Sequence, residues 1–269
     1  MKRIVIYAVT FNSYPELAAF LKSVDRAADF AAEEAEVEVC VADNTVEQPE
    51  KIVVENRHAV VRVFPYRENL GYMGAVQRMM GEQDPRSYDY VIISNVDLIF
   101  EEDALLQLVR LQVRQDTGGI APSLFSTCLG FDRNPSVLHR YPVWKLRMLA
   151  VMFRFPILDY LYRLTFYRRK GMRPAVKKPL EIYAGHGSVM ILTRAYFEHC
   201  GLPEYPLFLF CEEVYLAEMC REHQLKVVYW PSVRILDEEH VSIAKMHRAD
   251  FYRYNYEAVR FILRRFYAF

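Results

Sequence analysis

Residues 90–100 read YVIISNVDLIF, an apolar run that stops at Asn95-Val96-Asp97. Val91, Ile92 and Ile93 are β-branched residues of the kind that fill a strand buried on both faces, which points to a parallel sheet covered by helices. In open α/β sheets the carboxyl ends of the strands line the ligand crevice, so Asp97 at this strand end stands at the mouth of a site. Asn and Asp also open ordinary turns, and an isolated Asn-x-Asp has that simpler explanation. The flanking segments decide between the two.

Upstream, residues 3–10 (RIVIYAVT) predict a first strand. Ser13-Tyr14-Pro15-Glu16 has the form of a capping box with Pro in the first turn of a helix reaching about Ala27. Leu17, Phe20, Leu21 and Val24 fall on one face of that helix. Residues 37–42 predict a second strand that ends in Asp43-Asn44, and residues 60–64 a third. In residues 68–77 (ENLGYMGAVQ) glycines allow a sharp turn before a helix carrying Met79 and Met80. The glycine spacing is not that of a dinucleotide fingerprint, and the Lys of a phosphate-cradling loop is absent. A capped helix start explains the stretch by itself. Downstream, residues 101–115 predict an amphipathic helix closed by Gly118-Gly119. The alternation predicts an α/β fold, a doubly wound, mostly parallel sheet with helices on both faces.

Organisation changes after Ser123. Residues 126–136 carry Gly, Asn and Pro and predict a loop, followed by a basic, aromatic stretch beginning HRYPVWKLRMLAVMFRF. Between Arg140 and Lys178 there are eleven Lys or Arg and one acid, Asp159, so this segment carries about +10 and the remainder about −10. Arg140, Arg147 and Arg154 recur at heptad spacing, while Trp144, Met148, Val151, Met152 and Phe155 supply an apolar side. Such a helix can lie among lipid headgroups, with its bases toward anionic lipid, or it can pack on the domain with its charges in water.

From Pro179 the α/β pattern returns. Residues 182–192 (IYAGHGSVMIL) place a small-residue loop before a strand, and residues 195–200 a short helix. Residues 207–221 (LFLFCEEVYLAEMCR) set Glu212 and Glu213 at the start of a helix, where the macrodipole favours carboxylates irrespective of function. Residues 226–230 predict a strand ended by Pro231, residues 237–242 a polar loop, and residues 250–269 a closing amphipathic helix that is a second candidate for a membrane surface.

Composition narrows the class. The chain has 269 residues, 52 % hydrophobic and 14 % aromatic, enough for a large core. Its 34 basic and 34 acidic residues cancel, which argues against a dedicated nucleic-acid binder. The five cysteines are scattered without a Cys-x-x-Cys pair, as reduced packing thiols would be. No run reaches the roughly 20 apolar residues of a membrane span, and the start lacks a signal-peptide pattern. A cytoplasmic protein, peripheral to the inner face of the membrane, is expected.

Taken together, these pieces resemble the family 2 glycosyltransferases of the GT-A fold, specifically rhamnosyltransferase-like members that build bacterial cell-surface polysaccharides. Thr10 and Asn12 fall where that family's first strand meets the nucleotide, and Asp43-Asn44 where its Asp-Asn reads the pyrimidine. Asn69-Leu70-Gly71 through Gln77 is similar to its Asn-x-Gly loop, with Gln in place of a final Asn. Asn95-Val96-Asp97 occupies the Asp-x-Asp slot. Gly185-His186-Gly187-Ser188 is similar to the acceptor-side loop, and Glu212-Glu213 to the pair that supplies the base.

The resemblance implies an inverting, metal-dependent transferase using a dTDP- or UDP-sugar, with rhamnose favoured, and a saccharide or lipid-linked acceptor. It implies Thr10, Asn12, Asp43, Asn69, Gly71, Asn95 and Asp97 at the nucleotide, His186, Gly187 and Ser188 at the acceptor, and Glu213 as base with Glu212 beside it. Asp97 would hold Mg²⁺ or Mn²⁺. A second ligand would be His240, displaced from the family's His, or Asp237 nearer its aligned place. The chain divides accordingly into a nucleotide-sugar half (1–123), a basic helical insertion (124–180), an acceptor and catalytic half (181–245) and a C-terminal helix (246–269). The neutral Asn95 leaves open a non-catalytic nucleotide-sugar or glycan-binding protein with a degenerate site.

Overall fold

The structure, a computed structural model, describes residues 1–158, 176–238 and 246–267. Its strands are β1 (Lys2–Thr10), β2 (Ala35–Asp43), β3 (Ala59–Pro65), β4 (Tyr90–Asn95), β5 (Leu98–Phe100), β6 (Thr117–Ser126), β7 (Phe131–Asp132), β8 (Leu180–Ile182), β9 (Val189–Thr193) and β10 (Lys226–Asp237). All join one mixed sheet in the order β3-β2-β1-β4-β9-β6-β10-β5, with β7 paired to β6 and β8 to β10. β1, β2, β3 and β4 run parallel, β9 lies antiparallel between β4 and β6, and β6 runs parallel to β10. The opening strand β4 is therefore central, with neighbours on both edges and Val91, Ile92 and Ile93 fully buried.

The helices are α1 (Tyr14–Phe30), α2 (Tyr72–Glu82), α3 (Ala104–Val109), α4 (Val143–Arg154), α5 (Arg194–Cys200), α6 (Glu212–Glu222) and α7 (Arg248–Phe266). Alternate residues of β1 feed two cores, as the period of a strand requires. Ile4, Ile6 and Ala8 pack with Leu17, Phe20 and Val24 of α1 and Leu105 of α3. Val5 and Tyr7 pack on the other face with Met73 and Met79 of α2, Leu216 of α6 and Ile262 of α7. The doubly wound expectation holds.

Several boundaries differ from expectation, each for a local reason. Ser13 precedes α1 without capping it, because its hydroxyl bonds back to the Phe11 carbonyl (3.3 Å). The helix foreseen over 101–115 is only α3, and Gly118-Gly119 belong to β6 rather than to a helix end. A Cβ on Gly118 would stand 2.9 Å from Cys220 Sγ, so the glycine marks close strand-to-helix packing. The loop foreseen over 126–136 contains β7, whose Asp132 accepts from the Leu124 amide (2.9 Å) and the Ser123 hydroxyl (2.6 Å). β10 does not stop at Pro231: it runs to Asp237 through an irregularity between Trp230 and Arg234, where a proline costs no ladder bond. α7 buries Tyr252, Ala258, Val259, Ile262 and Phe266, so its apolar face is spent on the core and on α4 rather than left for a membrane.

Candidate functional site

The parallel strands end level with one another. Thr10 stands opposite Asp43 across β1 and β2, and Val9 opposite Asn95 across β1 and β4, so three foreseen nucleotide residues share one edge of the sheet. The chain turns sharply there: Asn12 takes a left-handed φ of 54° and its amide donates to Thr45 Oγ1 (3.0 Å). Asp43 accepts from the Tyr14 hydroxyl at Oδ2 (3.0 Å) and from the Thr45 amide at Oδ1 (3.0 Å). Each carboxylate oxygen has a second lone pair, so Asp43 is oriented without being used up. Asn44 donates through Nδ2 to the Gly71 carbonyl (2.9 Å), tying the end of β2 to the Asn-x-Gly loop.

That loop is clamped from a second side. Gly71 adopts φ +74°, a Cβ there would collide with the Phe208 carbonyl, and the Tyr72 amide donates to the same carbonyl (3.2 Å). Only glycine fits both demands. Asn69, exposed, closes the turn by accepting from the Gly71 amide at 3.2 Å.

The Phe208 segment leads directly into the acidic pair. Phe210 (φ 74°) and Cys211 (φ 62°) are consecutive non-glycine residues in the left-handed region, and the Tyr205 hydroxyl bonds the Phe210 carbonyl. Backbone strain of this kind persists where surrounding structure over-determines it, and here it aims the first turn of α6. Glu212 is 5 % exposed and Glu213 partly exposed. Burial first, and then the charge of Glu213, push the Glu212 carboxyl up to about 8. Burial raises Glu213 as well. The Glu213 carboxylate leans on the acceptor-side loop, where a Cβ on Gly187 would stand 3.0 Å from Oε2.

That loop is joined to β4, because the Asn95 amide donates to the Ser188 carbonyl (2.9 Å). His186 receives the Ser188 amide at Nδ1 (3.3 Å), and its own amide donates to Asn134 Oδ1 (2.8 Å). Arg133 Nη1 lies 3.4 Å from its Nε2. Burial and the Arg133 charge lower His186 to about 4, so it is a neutral imidazole at physiological pH. Arg133 also pairs with Asp237 Oδ2 (3.1 Å), which places that carboxylate against a guanidinium.

Asp97 occupies the turn between β4 and β5 and faces a cleft of about 270 Å³ that Glu16 and Glu238 also line. Among the described residues no three His, Cys, Asp or Glu converge as a metal cage. A hard cation of the Mg²⁺ type is ordinarily held by one or two carboxylates together with substrate phosphates, and the oxygen donors of this cleft fit that arrangement. His240 lies outside the described residues.

The structure adds residues that the sequence pattern did not single out as functional. Tyr14 orients Asp43, and Asn134 holds the His186 backbone. Thr10 Oγ1, Glu16 Oε2, Asn44 Oδ1, the Tyr72 hydroxyl and Glu212 Oε1 are buried without a hydrogen-bond partner. Buried polar atoms in native folds are ordinarily paired, and Thr10 and Asn44 among these lie at the ends of β1 and β2.

The family description Glycosyl transferase family 2 matches residues 5–200, which include most of β1, all of β4, Asp97 and the acceptor-side loop. The chain belongs to this family. Two relatives of this glycosyltransferase, from Mycobacterium tuberculosis strains CDC 1551 / Oshkosh and ATCC 25618 / H37Rv, are both named N-acetylglucosaminyl-diphospho-decaprenol L-rhamnosyltransferase. Each is 27 % identical over 240 residues, covering 86 % of this chain and 74 % of the relative. Among solved structures, GalNAc-T7 with UDP, GalNAc and Mn²⁺ aligns with a TM-score of 0.56 at 13 % identity, over 90 % of this chain and 45 % of that one. Staphylococcus aureus TarS aligns with a TM-score of 0.53 at 14 % identity, over 88 % of this chain and 37 % of that one. The glycosyltransferase thus spans less than half the length of either neighbour, and they show its fold, which is GT-A.

Proposed function

We propose that the chain is an inverting, metal-assisted glycosyltransferase that moves rhamnose from a dTDP or UDP donor to a lipid-linked saccharide at a membrane surface. The observation that carries the reading is the pair of the buried Glu212 and the partly exposed Glu213, the latter set against Gly187 of the acceptor-side loop. Rhamnose and a lipid-linked acceptor are suggested by the name of the mycobacterial relatives.

The acceptor hydroxyl attacks the anomeric carbon on the face away from the diphosphate. One C–O bond forms as the bond to the phosphate oxygen breaks, and its electron pair leaves with the nucleoside diphosphate. The hydroxyl proton passes to Glu213. Burial raises both carboxyls of the pair, Glu212 to about 8, which makes each a stronger base than an ordinary carboxylate. A single displacement inverts the anomeric centre and needs no enzyme nucleophile. Asp97, with Glu16 and Glu238 on the same cleft, would hold Mg²⁺ or Mn²⁺, which neutralises charge on the departing diphosphate. Asp43, Thr10 and Asn44 would receive the pyrimidine, with Asn12, Asn69, Gly71 and Asn95 shaping the nucleotide edge. His186, Gly187 and Ser188 would meet the acceptor.

The membrane part rests on α4. Trp144, Met148, Val151 and Phe155 form an exposed stripe along it, 66 % exposed at Trp144 and 54 % at Phe155, with Arg147 and Arg154 exposed as well. Leu146, Ala150 and Met152 are its buried face, so packing alone does not account for the stripe. No described helix is long and apolar enough to cross a membrane, and an interfacial helix needs no such length.

The test is incubation of dTDP-rhamnose and UDP-sugars with polyprenyl-diphosphate N-acetylglucosamine in Mg²⁺ or Mn²⁺. Transfer with inversion and release of nucleoside diphosphate is the expected result. Nucleotide binding without any release would instead make the chain a sugar-nucleotide binder.

A further inference from the structure

We propose that Arg133 and His186 recognise an acetamido group on the acceptor sugar, each donating one hydrogen bond to its carbonyl oxygen. This rests on the transferase reading above and names what the acceptor side of that site selects. The two side chains come from segments far apart in the chain and meet with Arg133 Nη1 3.4 Å from His186 Nε2. His186 Nδ1 receives the Ser188 amide (3.3 Å), so the single proton of the neutral ring sits on Nε2. Two N–H groups therefore face each other, an arrangement that one oxygen acceptor lodged against both completes. The Arg133 side chain is 24 % exposed and His186 is half-buried, so a ligand can reach the pair from solvent.

Both donors are held in place by the fold itself. The Arg133 amide donates to the Leu124 carbonyl (2.8 Å), and Nε pairs with Asp237 Oδ2 (3.1 Å). Asp132, one residue earlier, accepts from the Leu124 amide (2.9 Å) and the Tyr229 hydroxyl (2.9 Å). The His186 amide donates to Asn134 Oδ1 (2.8 Å), and Asn134 Nδ2 donates to the Pro122 carbonyl (2.9 Å). Such pre-organisation lowers the entropy cost of gripping a ligand.

Charge and proton count select the oxygen. Asp237 offsets the Arg133 charge and His186 is neutral, so the pair offers little net charge to a phosphate. A sugar hydroxyl must place a proton of its own, whereas an amide carbonyl accepts two hydrogen bonds and carries none on its oxygen. The location agrees with an acceptor contact. Gly187, the residue after His186, lies against the base, where a Cβ would stand 3.0 Å from Glu213 Oε2.

The experiment compares wild type, Arg133→Gln and His186→Phe on two polyprenyl-diphosphate acceptors, one ending in N-acetylglucosamine and one in glucose, with dTDP-rhamnose and UDP-glucose as donors. Calorimetric donor affinities and thermal midpoints are measured on the same preparations. Wild type should prefer the acetamido acceptor. In each variant kcat/KM for that acceptor should fall about tenfold, with kcat/KM for the glucose acceptor and donor affinity changed less than about twofold. Equal losses on the two acceptors would overturn the assignment, as would a wild type indifferent to the acetamido group. A matching loss of donor affinity would overturn it too, by putting the pair on the donor phosphates. Wild type that binds a donor yet releases no nucleoside diphosphate with either acceptor would sink the transferase reading itself, and the acetamido contact with it.

Discussion

Glu212 and Glu213 are adjacent on the first turn of α6, yet their surroundings give them different chemistry. Glu212 is the more enclosed, and its proton is retained to about 8 against an ordinary value of 4.5. Between those values the folded chain binds a proton that the unfolded chain has lost, so stability falls as pH rises through the window. Glu212→Gln removes that titration. Thermal midpoints of wild type should therefore decline from about pH 5 to about pH 8 more steeply than those of the variant, and parallel curves would show that Glu212 ionises normally. Activity has the opposite slope on its acid side. Burial raises Glu213 too, so turnover should climb with ionisation above the ordinary carboxylate range. Of these two acids the sequence offered only adjacency and a helix start. Phe210 and Cys211 just before them take left-handed conformations, which neither residue type advertises.

At the scale of elements, the same edge of the sheet gathers loops that are far apart in the chain. Gly71 is where the Asn-x-Gly loop, the end of β2 and the segment before α6 meet, through Asn44 Nδ2 and the Phe208 carbonyl. Gly71→Ala combines a left-handed backbone with a collision against backbone, and should cost about 3 kcal/mol or more in urea unfolding. A loss under about 0.5 kcal/mol would mean the loop can move aside. β-branched runs made β1, β2, β3 and β4 legible, since strands covered on both faces are rich in Val and Ile. Gly118-Gly119 and Pro231 misled because their meaning is tertiary. The glycines let β6 approach Cys220 and Leu225, and the proline sits at a bulge of β10. Asp97, Asp43 and Glu213 were visible as polar residues at element ends, whereas Arg133, paired with Asp237, and the Tyr72 amide, bonded to the Phe208 carbonyl, acquire meaning only from neighbours remote in sequence.

On the whole molecule, α6 and the helices α4 and α7 are mechanically joined. Glu218 of α6, with a fully buried side chain, holds Arg140 ahead of α4 (2.6 Å), the Tyr183 hydroxyl (2.7 Å) and Arg221 (2.7 Å), while Arg140 also reaches the Phe266 carbonyl of α7 (3.0 Å). The Arg140 and Arg221 side chains are 35 % and 45 % exposed and can be solvated once Glu218 is gone, so Glu218→Ala should lower stability by about 1.5–3 kcal/mol in denaturant melts, the scale of a hydrogen bond to a charged group. A loss below about 1 kcal/mol would show that the layers are held by apolar packing alone. The exposed stripe of α4 has its own test. Trp144→Glu should reduce flotation with anionic liposomes while leaving donor affinity unchanged, and flotation indifferent to both the substitution and lipid charge would remove the membrane from the account. The central claim is that this edge of the sheet catalyses sugar transfer with Glu213 as its base. The most direct measurement is single-turnover transfer by wild type and Glu213→Gln, with donor affinity determined on the same preparations. Unchanged donor affinity and a rate lowered by about 10²–10⁴-fold is the predicted result, and a Glu213→Gln enzyme that transfers at the wild-type rate would contradict it.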